Sequence, residues 1–197
     1  MYVLRQHGLK APASSIGWLI CVIIIAAILP ASSFTAAQSS TPYTIHTNLK
    51  SVAHVSGAQL DEFIRSRRPS SPLIGLGQTW VETGRRYNIN AYYLMAHAVH
   101  ESGWGSTRLA RRKNNIYGWH AFNSCPYSCA STYRTKAECI RKVIPAIDDM
   151  YLNPDGPFYT TYGPTLRGVN VHYATDKHWK YVIVAVMNEA VDFVHST

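Results

Sequence analysis

A chain of 197 residues has room for one ordinary domain and an appendage. Its 13 Tyr and 5 Trp, against 5 Phe, favour flat rings with a polar handle, which serve a wet groove as readily as a core. The formal charge of +8, from 19 Lys and Arg over 11 Asp and Glu, attracts polyanions in general; the basic residues form only short clusters, with no recognition helix, finger spacing or RNA-binding signature, so nucleic acid is not the expected partner.

In chain order, residues 16–29 are uncharged and almost wholly apolar, with Arg5 and Lys10 before them and Pro30 after. A basic flank followed by a short apolar core reads as an export signal, cut near Ala37. The stretch is shorter than the roughly 20 residues of a spanning helix, though its Ala, Pro and Ser flanks extend it enough for an uncleaved membrane anchor. Residues 1–37 are therefore a signal peptide or anchor, 38–52 a Ser- and Thr-rich solvated spacer, and 53–197 a folded domain working outside the cytoplasm.

Ser56-Gly57-Ala58-Gln59 fits a capping box, with Leu60, Phe63 and Ile64 on one face of the helix it opens. A second helix is predicted over about 76–87 with Trp80, Val81 and Tyr87. Asn90 caps a third over about 91–101, apolar on nearly every side and so internal. Gly-, Pro- and Ser-rich segments after it suit loops or a small hairpin. Thr135-Lys136-Ala137-Glu138 opens a further helix that Pro145 bends, and the last helix spans about 177–194. The sum is a mainly α domain with irregular segments around a groove.

Glu101 ends the most buried helix, where Ser102-Gly103-Trp104-Gly105 breaks it. Burial raises a carboxylic acid's affinity for its proton, the property a general acid needs near neutral pH. The block Glu101–Gly105, followed by Asn114-Asn115-Ile116-Tyr117-Gly118, resembles the glucosaminidase domain of bacterial cell-wall autolysins, glycoside hydrolase family 73. The likeness continues through Tyr151-Leu152, Thr165–Asn170 and Tyr173–Trp179, and spans roughly 57–195.

That resemblance implies a lysozyme-like α core with a small loop or β-hairpin lobe, a cleft between them, and peptidoglycan glycan strands as partner. Glu101 would protonate the oxygen leaving GlcNAc, cutting its β-1,4 bond to MurNAc. Trp104 would shape the helix break and cleft wall, with its indole able to lie against a sugar face; Asn114 and Asn115 would be groove residues, Asn115 alternatively a loop cap; Tyr117 and Tyr173 would be cleft tyrosines that orient substrate or a water. The match departs at Asn123, where relatives with the same tail carry Asp, which removes one candidate base and leaves Asn123 as a groove residue. Glu138 stands at a plausible chain distance for the second catalytic carboxyl, although its capping box also explains it. Asp148, Asp149, Asp155 and Asp176 have no decisive context, and the substrate's own N-acetyl oxygen can assist departure in place of a protein carboxylate.

Cys125, Cys129 and Cys139 allow one disulfide, most simply Cys125–Cys129 or Cys129–Cys139. With His120 they lack the usual zinc-knuckle spacing, and His97-Ala98-Val99-His100-Glu101 matches neither common zinc-protease pattern, so no metal and no cofactor is expected. His97 is expected to pack inside or to bond near the acid. Two rivals remain open: a muramidase or lytic transglycosylase, and a noncatalytic wall-binding protein that keeps the fold. The domain is expected to act as a monomer.

Overall fold

Capping side chains start most of the helices in the computed structural model, which describes residues 42–197. Ser56 accepts from the Gln59 backbone N–H while the Gln59 side chain accepts from the Ser56 backbone N–H, and α1 (Gly57–Arg67) follows. Helix α2 (Gly77–Tyr87) ends on Asn88 in the left-handed region. Asn90 caps α3 (Ala91–Ser102) through Tyr92 and Tyr93, and Thr107 caps the short α4 (Arg108–Arg112). Thr135 caps α5 (Lys136–Ile147), Thr165 caps α6 (Leu166–Tyr173), and α7 (Trp179–Ser196) closes the chain.

Helix α3 lies at the centre, against α2 on one side and α7 on the other. Helix α7 also meets α1 and α6, and α2 meets α5. The wholly buried side chains of Trp80, Tyr93, Leu94, Met95, Ile140 and Ile183 fill the space between them. Pro145 has no N–H for the helical ladder, yet α5 continues to Ile147 before a π-helical turn over Asp148–Leu152, closed by the Asn153 N–H on the Asp148 carbonyl (2.9 Å).

One expectation needs correction. The spacer predicted over 38–52 is not solvated throughout, and the domain begins near Tyr43 rather than residue 53. Leu49 is wholly buried, its N–H donates to the Pro164 carbonyl, and its carbonyl accepts from the Asn90 N–H. Tyr43 and Asn188 exchange two hydrogen bonds, and Lys50 pairs with Asp148 at 2.6 Å. One apolar residue and a run of backbone bonds dock this stretch, and neither leaves a periodic pattern in sequence.

Of the loop or hairpin expected for the small lobe, the structure has the loop. No strand occurs among the described residues, only isolated bridges between Asn48 and Thr165 and between Phe122 and Cys125. The lobe is a loop over 118–131, tied by a Cys125–Cys129 disulfide, while Cys139 is free and buried. The apolar segment 16–29 lies outside the described residues; among those described, no helix is long and apolar enough to cross a membrane.

Candidate active site

The break after α3 is built by the residues around Glu101. Ser102 Oγ donates to the Ala98 carbonyl (2.6 Å) and accepts from the Gly105 N–H (2.8 Å). Gly103, Trp104 and Gly105 all take positive φ, 53°, 58° and 82°. At Gly105 a Cβ would lie 2.7 Å from Pro72, so only glycine allows the chain to turn there. The turn leaves the Glu101 side chain, about one-fifth exposed, at the base of a cleft of about 570 Å³.

One wall of the cleft is the segment Tyr117–Phe122 with Leu109 beside it; the other is Met150, Tyr151, Phe158, His172, Tyr173 and Ala174. Glu101 is the sole carboxyl group among these residues. Burial pushes its pKa up to about 7, against the opposing effect of the Trp179 indole N–H, which donates to Oε1 at 2.7 Å. Because an indole only donates, Oε1 serves as acceptor and the acid's proton is assigned to Oε2. Oε2 faces Gly118, where a Cβ would sit 3.3 Å away.

His97 lies one turn before Glu101, wholly buried, with Nε2 3.7 Å from Oε1. Tyr93, Tyr117, Tyr173 and Trp179 enclose its ring at centroid distances of 4.7–5.5 Å, and neither nitrogen has a hydrogen-bond partner. Burial, with a smaller contribution from His100, lowers its pKa to about 3. The imidazole is therefore neutral at physiological pH, and no cation from it competes with the raised pKa of Glu101.

The Glucosaminidase family, described as mannosyl-glycoprotein endo-beta-N-acetylglucosaminidase, matches residues 77–191, the span from α2 into α7 that holds Glu101 and both cleft walls. This chain belongs to that family. A Streptococcus pneumoniae serotype 4 protein, provisionally named endo-beta-N-acetylglucosaminidase, is 32% identical over 141 residues, 71% of this chain and 21% of the relative. The chain thus spans about a fifth of the length of this curated relative. A catalytic mutant of S. aureus autolysin E, solved with the disaccharide NAG-NAM, superposes with TM-score 0.61 at 17% identity, over 79% of this chain and 75% of that one. S. aureus glucosaminidase B gives TM-score 0.54 at 17% identity, over 75% and 64%. The shared fold accords with the expected helical core and loop lobe.

Within this glucosaminidase fold the residues singled out from sequence divide sharply. Glu101, Tyr117 and Tyr173 meet at the cleft. The Tyr117 hydroxyl, however, points inward, donating to the Leu94 carbonyl and accepting from Trp80 Nε1, each at 3.0 Å. Tyr173 donates its hydroxyl to the Tyr117 carbonyl (2.9 Å), and burial, with the nearby Glu101, raises its pKa well above the ordinary value. Both hydroxyls are engaged in internal hydrogen bonds, so neither is offered to the cleft as a proton-transfer group.

The other candidates lie outside the cleft. Trp104 packs on Phe63, with Arg68 over its ring, so it holds the helix break against α1. Asn114 donates to the carbonyls of Tyr133 and Arg134 and accepts from Lys136. Asn115, 1% exposed, donates to the carbonyls of Trp119 and Ser131 and accepts from the Trp119 N–H. Asn115 thus ties the two ends of the lobe and Asn114 holds the segment that leads into α5, and the hydrogen bonds of both amides are spent there. Asn123 is exposed on the lobe and does not line the cleft.

Glu138 does not line the cleft either. Lys142 and the Arg134 backbone N–H hold its carboxylate, lowering its pKa to about 2. Its side chain reaches the amide before the cap rather than the cap itself, so only half of the expected box forms. Asp148 pairs with Lys50, and Asp149, Asp155 and Asp176 are exposed; none lines the cleft. Sequence reasoning missed Trp179 as the partner of Glu101. The signal available was its place in the matching Tyr173–Trp179 tail; what the tail did not give was the direction of the indole.

Proposed function

We propose that this domain is a peptidoglycan hydrolase, an endo-β-N-acetylglucosaminidase cutting the β-1,4 bond from GlcNAc to MurNAc with Glu101 as general acid. The observation that carries the reading is the state of that carboxyl: alone in a sugar-sized cleft, with a pKa of about 7, it holds a proton over the range where a wall enzyme works. Family membership and the disaccharide bound by autolysin E support the substrate class.

With one carboxyl lining the cleft, the step that balances uses the substrate. The acetamido oxygen of GlcNAc attacks its own C1 as the C1–O bond to MurNAc breaks, and Glu101 Oε2 gives its proton to that departing oxygen. The resulting Glu101 carboxylate then takes a proton from water as the water oxygen adds to C1, which opens the oxazolinium ring and leaves a reducing GlcNAc end. Trp179 stabilises the carboxylate between the two steps through its bond to Oε1.

The site is read as extracytoplasmic, with residues 1–37 an export signal or anchor. The Cys125–Cys129 disulfide supports an oxidising compartment. Digestion of purified peptidoglycan followed by mass spectrometry tests the assignment. Reducing GlcNAc ends are expected, and are lost in Glu101→Gln. Anhydro-MurNAc ends would make the protein a transglycosylase, and binding without any release of ends would make it a wall-binding protein.

A further inference from the structure

We propose that Trp119, His120 and Phe122 form a sugar-stacking subsite that sets the enzyme's preference for long glycan strands; the proposal rests on the glycosidase reading of the same cleft. The three rings make a ladder along one wall. Trp119 and His120 stand 5.4 Å apart at 36°, and His120 and Phe122 5.9 Å apart at 25°. Phe122 is 57% exposed, the most exposed of the large apolar side chains among the described residues. An isolated exposed Phe needs no explanation, but an ordered row of rings continuous with an acid-bearing cleft does. The apolar C–H faces of pyranose rings are the complement of such a row, and the cleft's continuity with Glu101 makes the glycan strand its occupant.

The row is held in place before any sugar arrives. His120 sits at φ 61°, a conformation that costs a non-glycine residue energy, and its Nδ1 shares a 3.0 Å hydrogen bond with Ser131 Oγ. The Trp119 backbone is fixed at both N–H and carbonyl by Asn115, and the Ser131 N–H adds a second bond to that carbonyl. Behind the rings the disulfide closes the loop. Between its cysteines Tyr127 is clamped, with the Arg108 guanidinium 4.0 Å and the Lys113 ammonium 4.7 Å from its ring centroid. Lys113 also donates to the Tyr127 and Ala130 carbonyls, at 2.7 Å each. A flexible loop would have to order its rings at the moment of binding; these contacts restrain the loop beforehand, so more of the stacking appears as affinity.

The test measures glycan binding in a Glu101→Gln background, where substrate is not cut. Titration calorimetry compares the disaccharide GlcNAc-MurNAc with its tetrasaccharide. Adding Phe122→Ala is expected to weaken tetrasaccharide binding about fivefold to tenfold, from the size of one aromatic stacking contact, and to bring the two affinities closer together. Phe122 is exposed, so its loss leaves the melting temperature in place, which separates the effect from misfolding. The double variant Cys125→Ser/Cys129→Ser is expected to reduce the length preference in the same direction. Equal loss for both sugars, or an unchanged tetrasaccharide affinity with Phe122→Ala, overturns the subsite. A chain with Glu101 intact that releases no ends from peptidoglycan overturns the glycosidase reading instead, so the two failures are distinguishable.

Discussion

Replacing Trp179 by Phe keeps a ring at the start of α7 but deletes the N–H that reaches Glu101 Oε1 at 2.7 Å. That bond favours the ionised carboxylate, so its loss raises the pKa of Glu101 above its value of about 7. A hydrogen bond to a charged group contributes about 1.5–3 kcal/mol, which corresponds to about one to two pH units. With Glu101 as the proposed general acid, activity falls as pH rises through its pKa, and Trp179→Phe should carry that alkaline limb upward by about one to two units. Reducing-end release from purified glycan strands, measured from pH 5 to 10, reads the limb directly. The substitution also removes volume from a side chain only 2% exposed, which costs about 1–3 kcal/mol of stability, so the profile is recorded well below the variant's melting temperature. A limb that stays in place, or moves down, would refute the assignment of the limb to Glu101 or of the indole as its donor.

Glu101→Gln should be inactive yet more stable at high pH. The folded pKa of about 7 exceeds the unfolded value of 4.5, so native stability is lost between about pH 4.5 and 7, by up to about 3 kcal/mol. The melting temperature of Glu101→Gln should rise above that of the parent across that window, and a constant difference would contradict it. His97 acts in the opposite sense: its folded pKa of about 3 lies below the unfolded 6.5, so its contribution is present above pH 6.5 and lost as pH falls toward 3. His97→Leu should flatten the acid limb of the stability curve, by up to about 4–5 kcal/mol, in denaturant titrations at each pH. Gly118→Ala places a side chain at φ 62° and a Cβ 3.3 Å from Glu101 Oε2; turnover should fall with a stability loss of about 1 kcal/mol, and unchanged turnover would mean that the proton does not leave by that oxygen. Asn115→Ala removes three hydrogen bonds that hold the lobe and should cost about 3 kcal/mol by thermal melting, with glycan binding weakened although the amide touches no sugar.

Much of the helical frame was legible because its signals are local. Ser56, Asn90 and Thr135 announce helix starts by side chains that satisfy amides within three residues, and α3 is recognisable by being apolar all round. Leu49 was not legible, because its burial depends on backbone bonds to Pro164 and Asn90 that no nearby pattern records. Helix α6 was read only as part of a matching motif. Gly168 lowers its helical propensity, yet a Cβ there would lie 2.2 Å from the Gly163 carbonyl oxygen, so close packing rather than propensity explains the residue. Glu138 was legible as a cap and illegible as a catalytic group, since position along the chain says nothing about which wall a carboxylate faces.

The motif around Glu101 behaves in the same way, and the reason bears on how this site works. Ser102, Gly103, Trp104 and Gly105 bend the chain, Asn115 pins the lobe and Asn114 the segment after it; apart from the acid, few of the motif's side chains line the cleft. A general acid at the end of a helix is useful only if its oxygens are held differently, one fixed by a donor and one open. That demands rigid backbone on both sides of it, and rigid backbone is what these residues supply. Trp119, His120, Phe122 and His172, which line the cleft, lie outside the Glu101–Gly105 and Asn114–Gly118 blocks. On the proposed reading, the chemistry of the bond cut is tied to the motif and the length of the strand bound to the lobe. Replacing Trp119 and Phe122 together by Ala should reduce the glycan length preference without moving the alkaline limb of the pH profile, and a moved limb would show that lobe and acid are not separable.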